Sequence, residues 1–412
     1  MSTTLTGRRT SFSETGLRRL HDTLARYVDS GKIPGVVALV GTGDRTHVEA
    51  LGTMRHEGGA PMRRDTIFRM ASTSKPVTTA AAMVLLDECR MRLDDPVDEW
   101  LPELADRQVL RRPDGPLDDT VPARRPITVR DVLTSTFGLG VDLPLMGSPI
   151  MTAVLERSNY DPDAGPAPDP DEWVRRIGEL PLSYQPGERW QYDLAHDLLG
   201  VLVARVTGRP FGAFLHERVL DPLGMDDTDF HVPAGKIDRL PPVYFPDGAG
   251  GFPVWDEAVG GRWSAPPVFP SGAGGLASTV DDYHAYMRML LNHGRHGDER
   301  ILSRPAVELM TTNRLTPEQN AARTALARDN VHLSFGQGQH GGWGLGMAVR
   351  VDRGDYAPLG QFGWDGGTGT SVYADPQNDL TGVVLTQAGL SSADPARLIH
   401  DFWTTVYQAI DD

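Results

Sequence analysis

Strand-forming segments lie only near the two ends of this 412-residue chain, and that placement limits its fold more than any other feature. Residues 35–40 are an apolar, valine-rich run. A turn at 41–44 and a second extended segment at 46–51 complete the pattern of a β-hairpin. Comparable segments recur only at 345–351, 371–374 and 381–387. Between the two groups the sequence reads as helical segments, at 129–134, 198–206, 211–219 and 280–291, joined by loops rich in Pro and Gly. Buried strands must pair their backbone groups, so the two groups are expected to meet in one sheet. Helical patterns occupy both termini. Ser11 and Glu14 read as a capping box, Leu17, Leu20, Leu24 and Val28 follow at helical spacing, and a last helix covers 395–410. The expected fold is α+β: an antiparallel sheet flanked by terminal helices, built from residues 1–75 and 335–412, with a mostly helical domain inserted at 76–334. Two long irregular stretches, 138–171 and 233–275, are the expected pocket walls.

Charge and special residues narrow the function. A net charge of −15 disfavours polyanions, and Arg111-Arg112 and Arg124-Arg125 sit among prolines and acids as solvated loops would, so no nucleic-acid partner is expected. The single cysteine, Cys89, excludes an internal disulfide and reads as a half-buried packing residue. Met1 to Arg9 contain no apolar signal core, and the apolar run near 77–86 is too short to span a bilayer. A cytoplasmic protein without membrane contact is the expectation. His293 and His296 lack further ligands at zinc spacing. The Gly-rich string at 336–341 does not run from a strand into a helix. Neither metal nor cofactor is expected. No Gly-x-Ser-x-Gly elbow is present, which argues against an α/β-hydrolase.

The chemistry-bearing motif is Ser72-Thr73-Ser74-Lys75, at the start of a helical pattern in which Val77, Ala80, Ala81, Val84 and Leu85 share a face. Residues three apart on a helix are neighbours, so a hydroxyl and an amine meet. Serine needs a nearby base to act as a nucleophile, and a lysine in a dry pocket gives up its proton more readily. The plainer reading makes Ser72 or Thr73 a helix cap and Lys75 a solvated side chain. Lysine occurs only at Lys32, Lys75 and Lys236 among abundant arginines, and arginine cannot exchange a proton, so a lysine kept at this position favours chemistry.

The segment from Phe68 to Val77 resembles the nucleophile region of class C β-lactamases and of their esterase relatives, the family VIII carboxylesterases. So, in the family's order, do Leu93-Asp94-Asp95-Pro96-Val97, Trp100 to Leu104, Ile127 to Thr134 with Gly138-Leu139, Pro186 to Tyr192, Pro222-Leu223-Gly224-Met225, and Ser271 to Thr279 with Asp282-Tyr283. The resemblance spans nearly the whole chain. It implies the β-lactamase/transpeptidase-like version of the composite fold, with the active site in the cleft between its two parts.

It also implies roles. Ser72 is the nucleophile, and Tyr192, from the family's Tyr-x-Asn element, takes its proton with help from Lys75. The third motif, Lys-Thr-Gly in the family, is Trp364-Asp365-Gly366-Gly367 here. The backbone N–H groups of Ser72 and Gly367 would form the oxyanion hole, with Trp364, Asp365 and Gly366 beside the substrate. Trp190 before Tyr192 equally suits a core aromatic cluster, and the glycines equally suit a hairpin turn. Two departures separate this chain from the β-lactamases. Leu194 stands in place of the asparagine, and the lysine that would receive a substrate carboxylate is replaced by Trp364 followed by Asp365, which would repel one. Trp-containing third motifs are an esterase variant of the family. The expected activity is therefore a serine carboxylesterase acting on small neutral esters, with acyl transfer to alcohols possible. A β-lactamase or D-amino-acid peptidase is the rival within enzymes, and a catalytically silent acyl-binding protein is the rival outside them. Leu143, Leu145, Met146, Ile150 and Met151 are candidates for an apolar acyl pocket or for ordinary packing under the loop.

Overall fold

The valine-rich run becomes strand β1 (Gly35–Thr42), and every residue of it is buried. Successive side chains leave a strand on opposite faces, and β1 serves two cores in that way. Val36, Ala38 and Val40 pack with Leu20, Leu24, Leu398 and Phe402 from two helices, α1 (Glu14–Asp29) and the C-terminal helix. Val37 and Leu39 face a much larger core on the other side. Each fully buried aliphatic side chain contributes about 1.5–3 kcal/mol, so a single register is strongly enforced on this strand. The computed structural model describes residues 10–43, 45–56, 58–158, 167–247, 251–329, 335–390 and 393–411. The N-terminal residues 1–9 and part of the 138–171 loop lie outside the described residues.

β1 is joined by β2 (Arg45–Gly52) and by five strands from the end of the chain: β3 (Gly341–Trp343), β4 (Ala348–Arg350), β5 (Phe362–Gly366), β6 (Thr370–Asp375) and β7 (Leu380–Thr386). The seven-stranded order is β3-β4-β5-β6-β7-β1-β2, and all neighbours are antiparallel. The termini meet as well, through the pairing of Ser11–Phe12 with Ile410–Asp411. This is the α+β, β-lactamase/transpeptidase-like fold expected from the sequence.

On the larger core lie α2 (Ser74–Asp87), α3 (Leu194–Thr207) and α4 (Val280–Leu291). α2 is buried from Ser74 to Leu85, so it is surrounded by protein rather than one-sided. α4 lies across the sheet and holds the start of α2. Tyr283 and Tyr286 donate from their phenols to the backbone carbonyls of Thr73 and Pro76. The C-terminal helix runs Ala393–Ala409 and is α5.

Three local expectations are corrected. The N-cap of α1 is Ser13, whose hydroxyl accepts from the Gly16 N–H, because Ser11 is engaged in the terminal strand pair. Cys89 is exposed and follows α2 with a left-handed φ of 56°. Strands β3 and β5 had no sequence signal of their own. Their glycines weaken strand propensity, and the sheet partners impose the conformation.

Candidate active site

Ser72 lies in a single 3-10 turn, Ala71–Thr73, that enters α2. The preceding residue, Ala71, has φ 47°, a left-handed conformation that costs a residue with a Cβ about 1–2 kcal/mol. The surroundings enforce it. The Met70 N–H donates to the Leu276 carbonyl at 2.8 Å, and the Leu276 N–H donates to the Ser74 hydroxyl at 3.0 Å. From the turn between β5 and β6 and the start of β6, the hydroxyls of Thr368 and Thr370 donate to the carbonyls of Arg69 and Met70. A Cβ on Gly366 would fall 2.3 Å from the Met70 carbonyl oxygen, so glycine is what allows the strand to lie against this turn.

Lys75 is fully buried one turn along α2. Its Nζ is 2.5 Å from a carboxylate oxygen of Asp193, donates to the Ala273 carbonyl at 2.7 Å, and lies 4.6 Å from the centre of the Tyr192 ring. Burial alone would lower its pKa. The negative charge of Asp193 outweighs it, with Tyr192 once ionised and Asp197 adding to the effect, so the amine is held above the ordinary lysine value as an ammonium ion.

Tyr192 approaches from a distant part of the chain. Its backbone pairs with Val141 in both directions, at 2.9 and 3.0 Å. Its phenolic oxygen receives a hydrogen bond at 2.9 Å from the Trp364 indole N–H, and the nearby Ser72 hydroxyl favours the phenolate. Burial raises its pKa and Asp193 adds to this, while Lys75, Ser72 and Trp364 pull the other way; the net shift is upward. The three side chains singled out in the sequence are therefore together, with the ammonium and the phenol both protonated at rest.

Between Tyr192 and α3 the chain reverses within one residue. Asp193 has φ 81° and ψ −69°, and the Leu194 N–H donates back to the Tyr192 carbonyl at 3.2 Å, a strained γ-turn costing about 1–3 kcal/mol. That turn aims the Asp193 carboxylate at Lys75. Sequence reading gave Asp193 no role; the available signal was a carboxylate next to the candidate base. Asp197 also faces the cleft. Burial, with the neighbouring Asp193, pushes its carboxyl up to about 6, although it accepts from the Ser271 hydroxyl at 2.6 Å and the Ala273 N–H at 3.0 Å. His196 is fully buried beside Trp343, and burial together with Lys75 keeps it neutral.

The third motif divides between the two faces of β5. Trp364 is buried in an aromatic cluster with Trp190, Trp343 and Tyr192, so it supports the tyrosine instead of lining the substrate cleft. Asp365 points the other way, and its carboxylate accepts from the Tyr373 phenol at 3.0 Å. The expectation that Asp365 repels a substrate carboxylate is therefore wrong, because neighbouring strand residues cannot face the same side. Gly366 abuts the nucleophile turn, not the substrate. Gly367 lies just past β5, where a Cβ would meet nothing within 4 Å, and Thr368 next to it lines the cleft.

The cleft in front of Ser72 has a volume of about 600 Å³. Its apolar wall is Phe230, Trp255, Trp263 and Phe269, mostly from the second long loop, with the Arg262 guanidinium stacked 4.4 Å over Trp255. Among the described residues of the first loop, Ile150 and Met151 are buried in the core, Met146 is exposed, and Ser158 and Ala167 line the cleft. Among the described residues no group of His, Cys, Asp and Glu is arranged to hold a metal ion.

The geometry agrees with comparisons to known proteins. A family model described as Beta-lactamase matches residues 20–401. Protein Rv1367c of Mycobacterium tuberculosis is 39% identical over 366 residues, covering 87% of each chain. Esterase EstB of Burkholderia gladioli is 32% identical over 374 residues, covering 86% of each. Among solved structures, EstCE1, described as a hydrolase with promiscuous acyltransferase activity, superposes with a TM-score of 0.79 at 25% identity, covering 96% of this chain and 99% of its own. The chain belongs to the β-lactamase family of serine hydrolases.

Proposed function

We propose that this protein is a carboxylesterase that cleaves neutral esters through an acyl-enzyme on Ser72. The observation that carries the reading is the buried Lys75 ammonium, one helical turn from Ser72 and 4.6 Å from the centre of the Tyr192 ring, at the cleft that Ser72 lines. Loss of one proton from the coupled Lys75–Tyr192 pair leaves a phenolate beside an ammonium ion. The phenolate takes the Ser72 proton as Oγ attacks the ester carbonyl, and the resulting oxyanion is received by the backbone N–H groups of Ser72 and Gly367. Collapse of the tetrahedral intermediate breaks the ester C–O bond, and Tyr192 returns the proton to the leaving alkoxide. Water then gives a proton to the same phenolate and attacks the acyl carbonyl; the acyl–Oγ bond breaks, the acid leaves, and Tyr192 returns that proton to Ser72. Proton transfer of this kind contributes typically about 10²–10⁴ in rate, and an oxyanion donor about 3 kcal/mol.

Esters are favoured over β-lactams by what the cleft lacks. Leu194 is an apolar, buried residue where the family's amide would stand, and the buried Trp364 replaces the family's lysine. A site without the polar partner a substrate requires discriminates strongly against it. The aromatic wall suits a bulky apolar acyl or alcohol group. Relatives described as esterases point the same way, and the description of EstCE1 supports attack on the acyl-enzyme by an alcohol as well as by water.

The test is turnover of p-nitrophenyl esters alongside the chromogenic cephalosporin nitrocefin. Ester turnover abolished by Ser72→Ala is expected, with a fluorophosphonate label on Ser72 in the wild type. Rapid nitrocefin turnover without ester turnover would overturn the ester preference, and labelling without turnover of either would favour the silent binder.

A further inference from the structure

The two proton carriers on Ser72's side of the cleft, Lys75 and Tyr192, share a third charged neighbour that the proposed reaction does not use. Asp193 lies on neither a strand nor a helix. The Tyr192 carbonyl accepts from both the Val141 and the Leu194 N–H groups, and the chain turns through Asp193 alone. A left-handed γ-turn suits glycine best. The position holds instead a carboxylate with 16% of its side chain exposed, 2.5 Å from the Lys75 ammonium.

We propose that Asp193 is a positioning residue that sets the working pH of the Lys75–Tyr192 pair, the γ-turn serving to hold its carboxylate against the ammonium. This rests on the esterase reading above. The charged and titratable groups that face the pair are Asp193, Asp197 and His196, with the Ser72 hydroxyl and the Trp364 N–H as polar neighbours. His196 is neutral. Asp197 is already committed to Ser271 and Ala273. Asp193 is the carboxylate in direct contact with Lys75.

The direction follows from its charge. A carboxylate favours every protonated state of its neighbours, and both Lys75 and Tyr192 are raised by it. The reactive form of the pair has lost one proton. Asp193 therefore moves the gain of activity, and the second deprotonation that would end it, toward alkaline pH together. Neutralising it moves both limbs of the pH–rate profile toward acid, by about one unit or more, whichever residue gives up the first proton. A purely structural role would change the height of the profile and not its position.

The experiment measures kcat/KM for a p-nitrophenyl ester, and the rate of fluorophosphonate labelling of Ser72, as functions of pH in the wild type, Asp193→Asn and Asp193→Gly. Asparagine keeps the turn-compatible side chain without the charge, and glycine relaxes the turn without any side chain. Both variants are expected to show limbs displaced toward acid. The wild type should label faster with each step between about pH 6 and about pH 9. Unmoved limbs in both variants would overturn the proposal. So would wild-type labelling that is flat over that range, even if neither variant folds. A wild type that neither labels nor turns over ester would instead overturn the esterase reading itself.

Discussion

Trp364 donates its indole N–H to the phenolic oxygen of Tyr192 at 2.9 Å, while the next residue on the same strand, Asp365, turns to the opposite face of the sheet. The residue that replaces the family's lysine is thus tied to the candidate base, and the acid beside it is absent from the cleft.

Trp364→Phe removes that donor and keeps most of the aromatic packing. A hydrogen bond to a phenolate is worth about 1.5–3 kcal/mol, so its loss raises the Tyr192 pKa. The rising limb of kcat/KM should move toward alkaline pH by about one unit, with activity at high pH changed less. Thermal unfolding should show a modest loss of about 1–2 kcal/mol from incomplete filling of the indole site. An acid shift would contradict the assignment of Tyr192 as base.

Gly366 and Gly367 should respond oppositely to alanine. A Cβ at Gly366 meets the Met70 carbonyl oxygen at 2.3 Å and the Thr370 hydroxyl at 2.1 Å, so Gly366→Ala must push β5 away from the nucleophile turn. The expected result is a lower Tm and a loss of kcat of at least about tenfold, from displacement of the reacting groups. Gly367→Ala meets nothing within 4 Å and should leave the Tm unchanged. Equal melting temperatures for the two variants would refute the close approach.

Asp197→Asn should stabilise the protein at neutral pH. The folded-state carboxyl is raised to about 6 from 3.8, so the folded chain holds the extra proton between those values. The cost of ionising it is absent near pH 4, accrues as pH rises through about 6, and is complete above it. Asparagine still offers an oxygen to Ser271 and Ala273. Urea unfolding at pH 8 should show a gain of about 1–3 kcal/mol that vanishes near pH 4. A gain that persists unchanged at low pH would point to packing instead.

His284 predicts an acid-sensitive component of the opposite sign. Burial lowers its pKa from 6.5 to about 4, and Arg288 adds to the shift; its Nδ1 is 2.8 Å from the Thr381 hydroxyl on β7. The unfolded chain binds that proton first. Its contribution is therefore fully present above pH 6.5 and is lost as pH falls through about 4, up to about 3 kcal/mol. His284→Gln should lose less stability than the wild type between pH 7 and pH 4 in parallel urea titrations.

Local pattern and linear order were enough to read much of this protein. The alternating duties of β1, the Ser72–Lys75 spacing on one helix and the sheet drawn from both ends all follow from periodicities that a chain carries wherever it folds. The family resemblance added Tyr192. Strands β3 and β5 escaped because glycine supplies no side-chain signal and their conformation is imposed by neighbours. By sequence, residues 143–151 suit an acyl pocket or ordinary packing equally; Ile150 and Met151 lie in the core, while Trp255 and Trp263 line the cleft from the other loop.

What the sequence by itself determined is therefore the kind of fold and the identity of a hydroxyl, an amine and a phenol able to exchange a proton. The tertiary structure alone decided which charges surround them. Asp193 and Asp365 are both acids next to motif residues, and no linear pattern distinguishes them. A one-residue γ-turn aims the first at Lys75, and the pleat of β5 turns the second away. Electrostatic effects depend on distance and burial, which are properties of the packed chain and not of its order.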